Sequence, residues 1–197
     1  MLCLLPGIAA FVLFYLYEIY TVTGRFIILK PTFFIGLVLI FFSTCAASAA
    51  ALTTASIVLW RVIIFGVLAL ICLALMFYSL FFAVPFSKTY IETTEKQPKK
   101  ACRTGMYALC RHPGVLWFMG FYLFLWLSIG GTLLFTQFIF FSILNLIYII
   151  IQDNWSFIIC FNDYNDYKKE VPFLIPTAKS LQHCLETFHS SKGGRVT

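Results

Sequence analysis

Charged residues are scarce in this sequence of 197 residues. Lys, Arg, Asp and Glu make up 11% of it, whereas hydrophobic residues make up 61%. A soluble domain of this length could not bury that much apolar surface, so we expect lipid to be the solvent for much of the chain. The sequence also lacks an internal repeat or a low-complexity linker, and its length predicts a single integral-membrane domain over residues 1–197.

Several patterns that would indicate another class of protein are missing. Residues 1–17 contain no Lys or Arg, so the sequence predicts a retained first helix rather than a signal peptide. The seven cysteines are scattered without metal-ligand spacing, so we predict neither disulfides nor a metal site. The net charge of +6 comes without a basic stripe interleaved with aromatics, which predicts membrane lipids as partners and no nucleic acid.

Five apolar segments predict membrane spans, each of which needs ~20 residues. The fourth is short, and Gly130-Gly131 predicts a tight turn that joins it to the fifth as a helical hairpin. Small residues from Ser43 to Ala51 in the second predict close packing on a neighbouring helix. The predicted fold class is therefore all-α, a polytopic membrane protein. The segments are Leu2–Tyr20, Phe33–Leu52, Ile57–Phe82, Gly114–Ile129 and Thr132–Ile151.

The positions of the basic residues predict the orientation in the membrane. If there are five spans, all of the 14 Lys and Arg residues except Arg61 fall on one side. Basic loops face the cytoplasm, so we expect the N-terminus outside and the C-terminus in the cytoplasm. Glu18 and Arg61 lie near span ends, and we expect their charged groups to reach the interface.

A compact motif, Gly105-Met-Tyr-Ala-Leu-Cys-Arg-His-Pro113, precedes the fourth segment. Pro113 suits the first position of a helix, whose free N–H groups and positive dipole end would face the cytoplasm. Arg111 adds a planar charged fork suited to a carboxylate or phosphate, and His112 can donate or accept hydrogen bonds at cell pH. The motif predicts an anion-binding or catalytic site; the alternative is that it only anchors a helix end at the interface.

A second polar segment follows the fifth span. Asp153 and Asn154 lie where that helix would leave the bilayer. Tyr164 and Tyr167 are three residues apart and would share one face of a short helix. The run Val171–Pro176 is predicted to fold back as an apolar loop, because its prolines cannot continue a helix. The alternative interpretation is an interfacial amphipathic helix without chemistry.

Together the two segments resemble the isoprenylcysteine carboxyl methyltransferase family and its phospholipid-methyltransferase relatives. That family has Gly-x-Tyr-x-x-x-Arg-His-Pro before a helical hairpin, and Tyr-x-x-Tyr-x-x-x-Val-Pro-x-x-Ile-Pro after it. The resemblance divides the chain into a three-helix membrane part (1–84), a methyltransferase-like cofactor-binding part (85–177) and a cytoplasmic tail (178–197). The matching residues are Gly105, Tyr107, Arg111, His112, Pro113, Tyr164, Tyr167, Val171, Pro172, Ile175 and Pro176.

The resemblance implies S-adenosylmethionine as the cofactor. Its carboxylate would meet Arg111, its amino group Asp153, and its sulfonium an aromatic face such as Tyr107. Arg111 and His112 would be the catalytic residues, and no metal is implied. The acceptor would be a lipophilic small molecule or lipidated substrate with a carboxylate, amine or thiol. The implied cofactor-binding residues are Gly105, Tyr107, Arg111, His112, Pro113, Asp153, Asn154, Tyr164 and Tyr167.

Two positions depart from the family pattern and keep other functions open. Val115 stands where the family has Tyr, and Asp153-Asn154 stand where it has two acidic residues. Membrane reductases of the sterol or steroid type, which use NADPH, share the Arg-His-Pro and Val-Pro elements, although not the residues that follow Pro113. A non-catalytic membrane protein that retains the fold is the third interpretation. A transporter is disfavoured because the spans lack a repeat and a polar midplane.

Overall fold

The computed structural model describes residues 2–82 and 100–193. Within these ranges helices are the only regular secondary structure, which confirms the all-α prediction for the described part of the chain. Four stretches are long and apolar enough to cross a membrane: Leu2–Thr23, Ile27–Leu52, Leu59–Phe81 and Thr132–Cys160. The predicted fourth segment is a shorter apolar helix, Pro113–Ile129. Lys88, Lys96, Lys99 and Arg195, which the orientation prediction used, lie outside the described residues, as does the predicted boundary between residues 84 and 85.

The helices begin and end where the sequence supplies a suitable residue. Pro113 is the first residue of its helix, as predicted. Gly24 ends the first helix in the left-handed conformation, with φ +63°, and its N–H donates to the carbonyl of Tyr20. Gly130 and Gly131, with φ +86° and +88°, form the predicted hairpin turn. The helices are α1 Leu5–Thr23, α2 Thr32–Leu52, α3 Leu59–Phe77, α4 Met106–Leu109, α5 Pro113–Ile129, α6 Thr132–Ile151, α7 Phe157–Cys160, α8 Tyr164–Glu170 and α9 Ala178–Gly193.

Two of the long helices continue past their α-helical part through a π-helical turn. One turn, Tyr78–Phe82, follows α3, and the other, Gln152–Ser156, connects α6 to α7. A π-helical turn widens the helix and is frequent at functional sites. Neither turn was predicted from the sequence.

The chain folds as two compact units, each with its own internal packing. The bundle unit consists of Met1–Leu73 and Phe118–Ser156, and the motif unit consists of Ala74–Trp117 and Phe157–Thr197. The bundle unit holds most of the apolar helices. The motif unit contains both segments of the family resemblance except Asp153 and Asn154.

In the bundle unit, α2 runs antiparallel to α1. The Ser43 hydroxyl donates to the carbonyl of Cys3, 2.7 Å away, whereas the rings of Phe33 and Phe14 meet with centroids 5.6 Å apart. The predicted run of small residues packs as expected, since Ser43, Ala47 and Ala51 are all buried. Ala47 and Ala51 form a core cluster with Leu134 of α6.

Helix α6 runs parallel to α1 in the same unit. Gly7 lies so close to Phe141 that a Cβ at this glycine would come 1.9 Å from the ring's Cζ atom. Further along both helices, the rings of Tyr15 and Tyr148 meet edge-on with centroids 5.4 Å apart. Because the residue numbers of the contacting pairs increase together along both helices, α1 and α6 are parallel.

Helix α5 runs antiparallel to both α3 and α6. The Arg61 guanidinium donates two hydrogen bonds to the carbonyl of Leu127, at 3.1 and 2.8 Å. One turn further along α3, Phe65 stacks on Phe124, which lies earlier in α5. The diglycine turn imposes the antiparallel arrangement of α5 and α6.

Candidate functional site

The first motif begins with Gly105, whose backbone conformation is one that residues with a side chain rarely adopt. Gly105 has φ +61°, a left-handed conformation, and its N–H donates to the Thr187 hydroxyl at 3.0 Å. It starts the single turn α4, in which the Tyr107 hydroxyl donates to the carbonyl of Ser79 at 3.0 Å. Burial raises the pKa of the Tyr107 phenol above its ordinary value, so this hydroxyl stays protonated.

Arg111 connects the first motif to the second. Its side chain is buried, and Nη1 donates to the carbonyls of Lys168 and Val171, at 3.0 and 2.9 Å. Its backbone N–H donates to the carbonyl of Pro172 at 2.9 Å. The guanidinium carbon also lies 5.4 Å from the centre of the Phe173 ring. Arg111 therefore satisfies carbonyls at the end of α8, a structural role that the sequence analysis did not predict.

His112 lies inside an aromatic cluster. Its ring stacks on Phe157, with centroids 5.8 Å apart and planes 12° apart, and meets Phe173 edge-on at 5.2 Å. Only 6% of His112 is exposed, and the following Pro113 is fully buried. The sequence analysis missed both phenylalanines, although Phe173 lies within the Val171–Pro176 run and was available as a signal.

Tyr164 and Tyr167 lie on the buried face of α8, as their spacing predicted. Each is 3% exposed, and both form a core cluster with Val171. The Tyr167 hydroxyl donates to the carbonyl of Tyr107 at 2.7 Å, and burial raises the pKa of this phenol. Val171–Pro176 forms a loop without regular structure, also as predicted. The motif unit thus brings together Gly105, Tyr107, Arg111, His112, Pro113, Tyr164 and Tyr167.

A second arginine, absent from the sequence predictions, makes ionic contacts between the same two segments. Arg103 contacts the carboxylates of Asp163 and Glu170, and the N–H of Ala101 donates to Asp163 at 2.8 Å. Partial burial would raise the pKa of Asp163, but the hydrogen bond from Ala101 and the Arg103 charge outweigh it and lower that pKa. No local pattern marks these residues, because the partners lie far apart in sequence.

Asp153 and Asn154 belong to the bundle unit, within the π-helical turn that follows α6. Asp153 is 3% exposed, whereas Asn154 is exposed and donates its amide to the carbonyl of Ile150 at 2.9 Å. In the same turn, Ser156 is fully buried and its hydroxyl has no hydrogen-bond partner among the described residues. The convergence of Asp153 with Arg111 stays a prediction.

Glu18 corrects a sequence-based expectation. It does not extend to the interface but is 3% exposed, with its carboxylate accepting hydrogen bonds from Tyr148 and Gln152, both at 2.8 Å. The reason is that two donors, Tyr148 near the end of α6 and Gln152 at the start of the π-helical turn, lie one turn apart and both face Glu18 of α1. The bundle unit therefore has a polar cluster in which the buried Glu18 meets the half-buried Tyr148 and Gln152, at the start of the π-helical turn.

The chemistry of these residues fits the implied cofactor. The Arg111 guanidinium is a planar, permanently charged fork of N–H donors, the kind of group that pairs with a carboxylate. The rings of His112, Phe157 and Phe173 provide aromatic surface for a cation or a base. Among the described residues, no three His, Cys, Asp or Glu side chains lie close enough to hold a metal ion.

Comparison of the chain with known protein families, with curated proteins and with solved structures gave no match. The family resemblance therefore depends on the two motifs themselves and on the contacts that join them in the motif unit.

Proposed function

We propose that this protein is an integral-membrane methyltransferase that uses S-adenosylmethionine and acts on a lipophilic acceptor. The observation that carries the proposal is the direct contact between the two motifs. Arg111 holds the carbonyls of Lys168 and Val171, and Tyr167 donates to the carbonyl of Tyr107. Residues that served only as separate membrane anchors would not need to bind one another across a whole helical hairpin.

The proposed chemistry needs positioning more than a reactive side chain. Bound S-adenosylmethionine would supply an electrophilic methyl group, and transfer would be an in-line displacement helped mainly by alignment. Arg111 and the N-terminus of α5 would hold the carboxylate, and for the amino group the family resemblance implies Asp153. The phenols of Tyr107 and Tyr167 are buried and donate to backbone carbonyls, so they would shape the site rather than accept protons.

The proposed topology has five crossings, with the N-terminus outside and the C-terminus in the cytoplasm. The packing directions within the bundle unit support it, because α1 is antiparallel to α2 and parallel to α6, while α5 is antiparallel to α3 and α6. Five alternating passes produce this pattern. The 17-residue α5 is then the shortest crossing, within the range that a bilayer tolerates. The acceptor would enter from the lipid and the cofactor from the cytoplasm.

Binding of S-adenosylhomocysteine, the product form of the cofactor, tests the proposal. We expect the purified protein in detergent to be stabilised against thermal unfolding by this compound and not by NADPH. His112→Phe keeps the aromatic stacking on Phe157, and Asp153→Asn keeps the size of the side chain. Each should weaken binding about tenfold, which corresponds to about 1.4 kcal/mol.

Glu186→Gln is the matched control, because Glu186 is exposed on α9 and outside the proposed site. It should bind the cofactor product like the wild type. Stabilisation by NADPH alone would favour a membrane reductase instead. Unchanged affinity in both site variants would refute the proposed pocket.

A further inference from the structure

Helix α9, in the predicted tail, has a well-defined beginning and one clearly buried face. Thr177 and Ser180 exchange hydrogen bonds between their side chains and backbone N–H groups, at 2.9 and 3.2 Å, which caps the helix. Ser180 and Cys184 are buried, and the Thr187 hydroxyl accepts the N–H of Gly105. These three positions recur at helical spacing, so one side of α9 packs on α4.

A second side of α9 is apolar and exposed. Leu181 and Leu185, one turn apart, are 51% and 53% exposed, and Ile175 in the preceding loop is 80% exposed. The side opposite the leucines carries Lys179 and His183, both exposed. Helix α9 therefore has the three-sided pattern of a helix that lies between protein, an apolar phase and water.

The position of α9 in the motif unit indicates which apolar phase is near. It packs on α4, and Tyr107 of α4 donates to the carbonyl of Ser79. Ser79 lies near the end of Leu59–Phe81, a helix long and apolar enough to cross a membrane. Helix α9 is thus held near the level where that helix would leave the bilayer, and Tyr78 and Leu80 at the end of that helix are also exposed.

We propose that the Leu181–Leu185 face of α9 binds the boundary between headgroups and acyl chains of the leaflet at which Leu59–Phe81 ends. The basic charge of the motif unit, in which Lys100, Lys169 and Lys179 are exposed, favours a leaflet that contains anionic lipid. Membrane binding here keeps α9, and with it the Gly105 end of the first motif, at a fixed depth. This inference is independent of the proposed methyl transfer.

Photo-cross-linking of the full chain in lipid nanodiscs tests this inference. A benzophenone amino acid replaces Leu185 in one variant and His183, on the opposite side, in the matched control. The nanodiscs contain phosphatidylcholine and phosphatidylglycerol, and mass spectrometry measures lipid adducts on the α9 peptide. We expect a severalfold excess of lipid adducts at position 185 over position 183.

A second pair of positions, Leu181 and Gln182, repeats the comparison in case one variant folds poorly. An excess at position 181 supports the proposal in the same way. Equal lipid adducts within both pairs, or adducts that join two protein copies through the leucine positions, would overturn it. Neither measurement requires the cofactor, so failure here is separable from failure of the proposed function.

Discussion

The bundle unit and the motif unit rely on different interactions. In the bundle unit, aromatic rings and small residues pack closely over most of the contacts between helices, and hydrogen bonds such as those of Ser43, Arg61 and Glu18 add polar contacts at separate points. In the motif unit, side-chain hydrogen bonds connect segments about 60 residues apart, and Arg111 and Arg103 make several of them. Shape should therefore determine the stability of the bundle unit, and specific donors that of the motif unit.

Buried cysteines allow the unfolding of each unit to be measured separately. Cys72 is buried in the bundle unit, and Cys110 and Cys184 are buried in the motif unit. Burial also raises the pKa of the Cys110 thiol to about 11, so its labelling reports opening of the structure. Labelling of each site by a maleimide, measured by mass spectrometry, then distinguishes unfolding of one unit from unfolding of both.

The largest expected effect is that of Arg111→Ala. The variant loses two hydrogen bonds from a charged donor and leaves the carbonyls of Lys168 and Val171 without it, at a cost of about 3–5 kcal/mol. Labelling of Cys110 and Cys184 should accelerate far more than labelling of Cys72. If all three sites accelerate equally, the two units do not unfold separately.

Gly7→Ala tests the importance of shape in the bundle unit. The new methyl group would overlap Phe141, and we expect a loss of about 1–3 kcal/mol, visible as faster labelling of Cys72. Gly66→Ala is the matched control, because its Cβ would meet only the Ser128 hydroxyl at 3.7 Å. Equal effects of the two variants would contradict the parallel packing of α1 on α6.

Glu18 is a buried charged group within the bundle unit. Glu18→Leu leaves Tyr148 and Gln152 without their shared acceptor and should cost about 1–3 kcal/mol. Glu18→Gln retains an acceptor oxygen and should cost less. Thermal unfolding in detergent checks whether the Leu variant loses more stability than the Gln variant. A Leu variant as stable as the Gln variant would mean that the polar cluster does not stabilise the unit.

The smallest expected effect is that of Arg103→Gln. Because Arg103 and Asp163 are partly exposed, the loss should be about 0.5–1 kcal/mol at neutral pH. The folded protein holds the pKa of Asp163 below its ordinary value of 3.8, so this contribution is present above that value. It should disappear as the pH falls through the lowered pKa.

Thermal unfolding midpoints of the wild type and Arg103→Gln, compared over that pH range, check this prediction. The difference should be constant at neutral pH and shrink in acid. A difference that persists unchanged well below the lowered pKa would show that Arg103 stabilises the unit by packing and not through its ion pairs.

Local signals in the sequence predicted local features of the structure well. Pro113 marked a helix start, Gly130 and Gly131 marked the hairpin turn, and the spacing of Tyr164 and Tyr167 predicted a shared buried face. Each depends on backbone geometry or on helical periodicity within a few residues. Such features can be predicted without knowing which distant segments of the chain meet in the fold.

The partners of charged side chains were not predictable in this way. Glu18 meets Gln152, and Arg103 meets Asp163, because tertiary packing brings distant segments together. The role of Arg111 in holding α8 was missed for the same reason, since its acceptors are backbone carbonyls that every residue possesses. The sequence indicated that Arg111 matters, but only the fold reveals the atoms to which it is bound.

A direct titration of the wild-type protein with S-adenosylhomocysteine tests the central claim most plainly. We expect saturable binding of one molecule per chain in detergent, unaffected by excess NADPH. Absence of saturable binding to protein whose Cys72, Cys110 and Cys184 remain protected from labelling would contradict it, because both units would then be folded without a cofactor site.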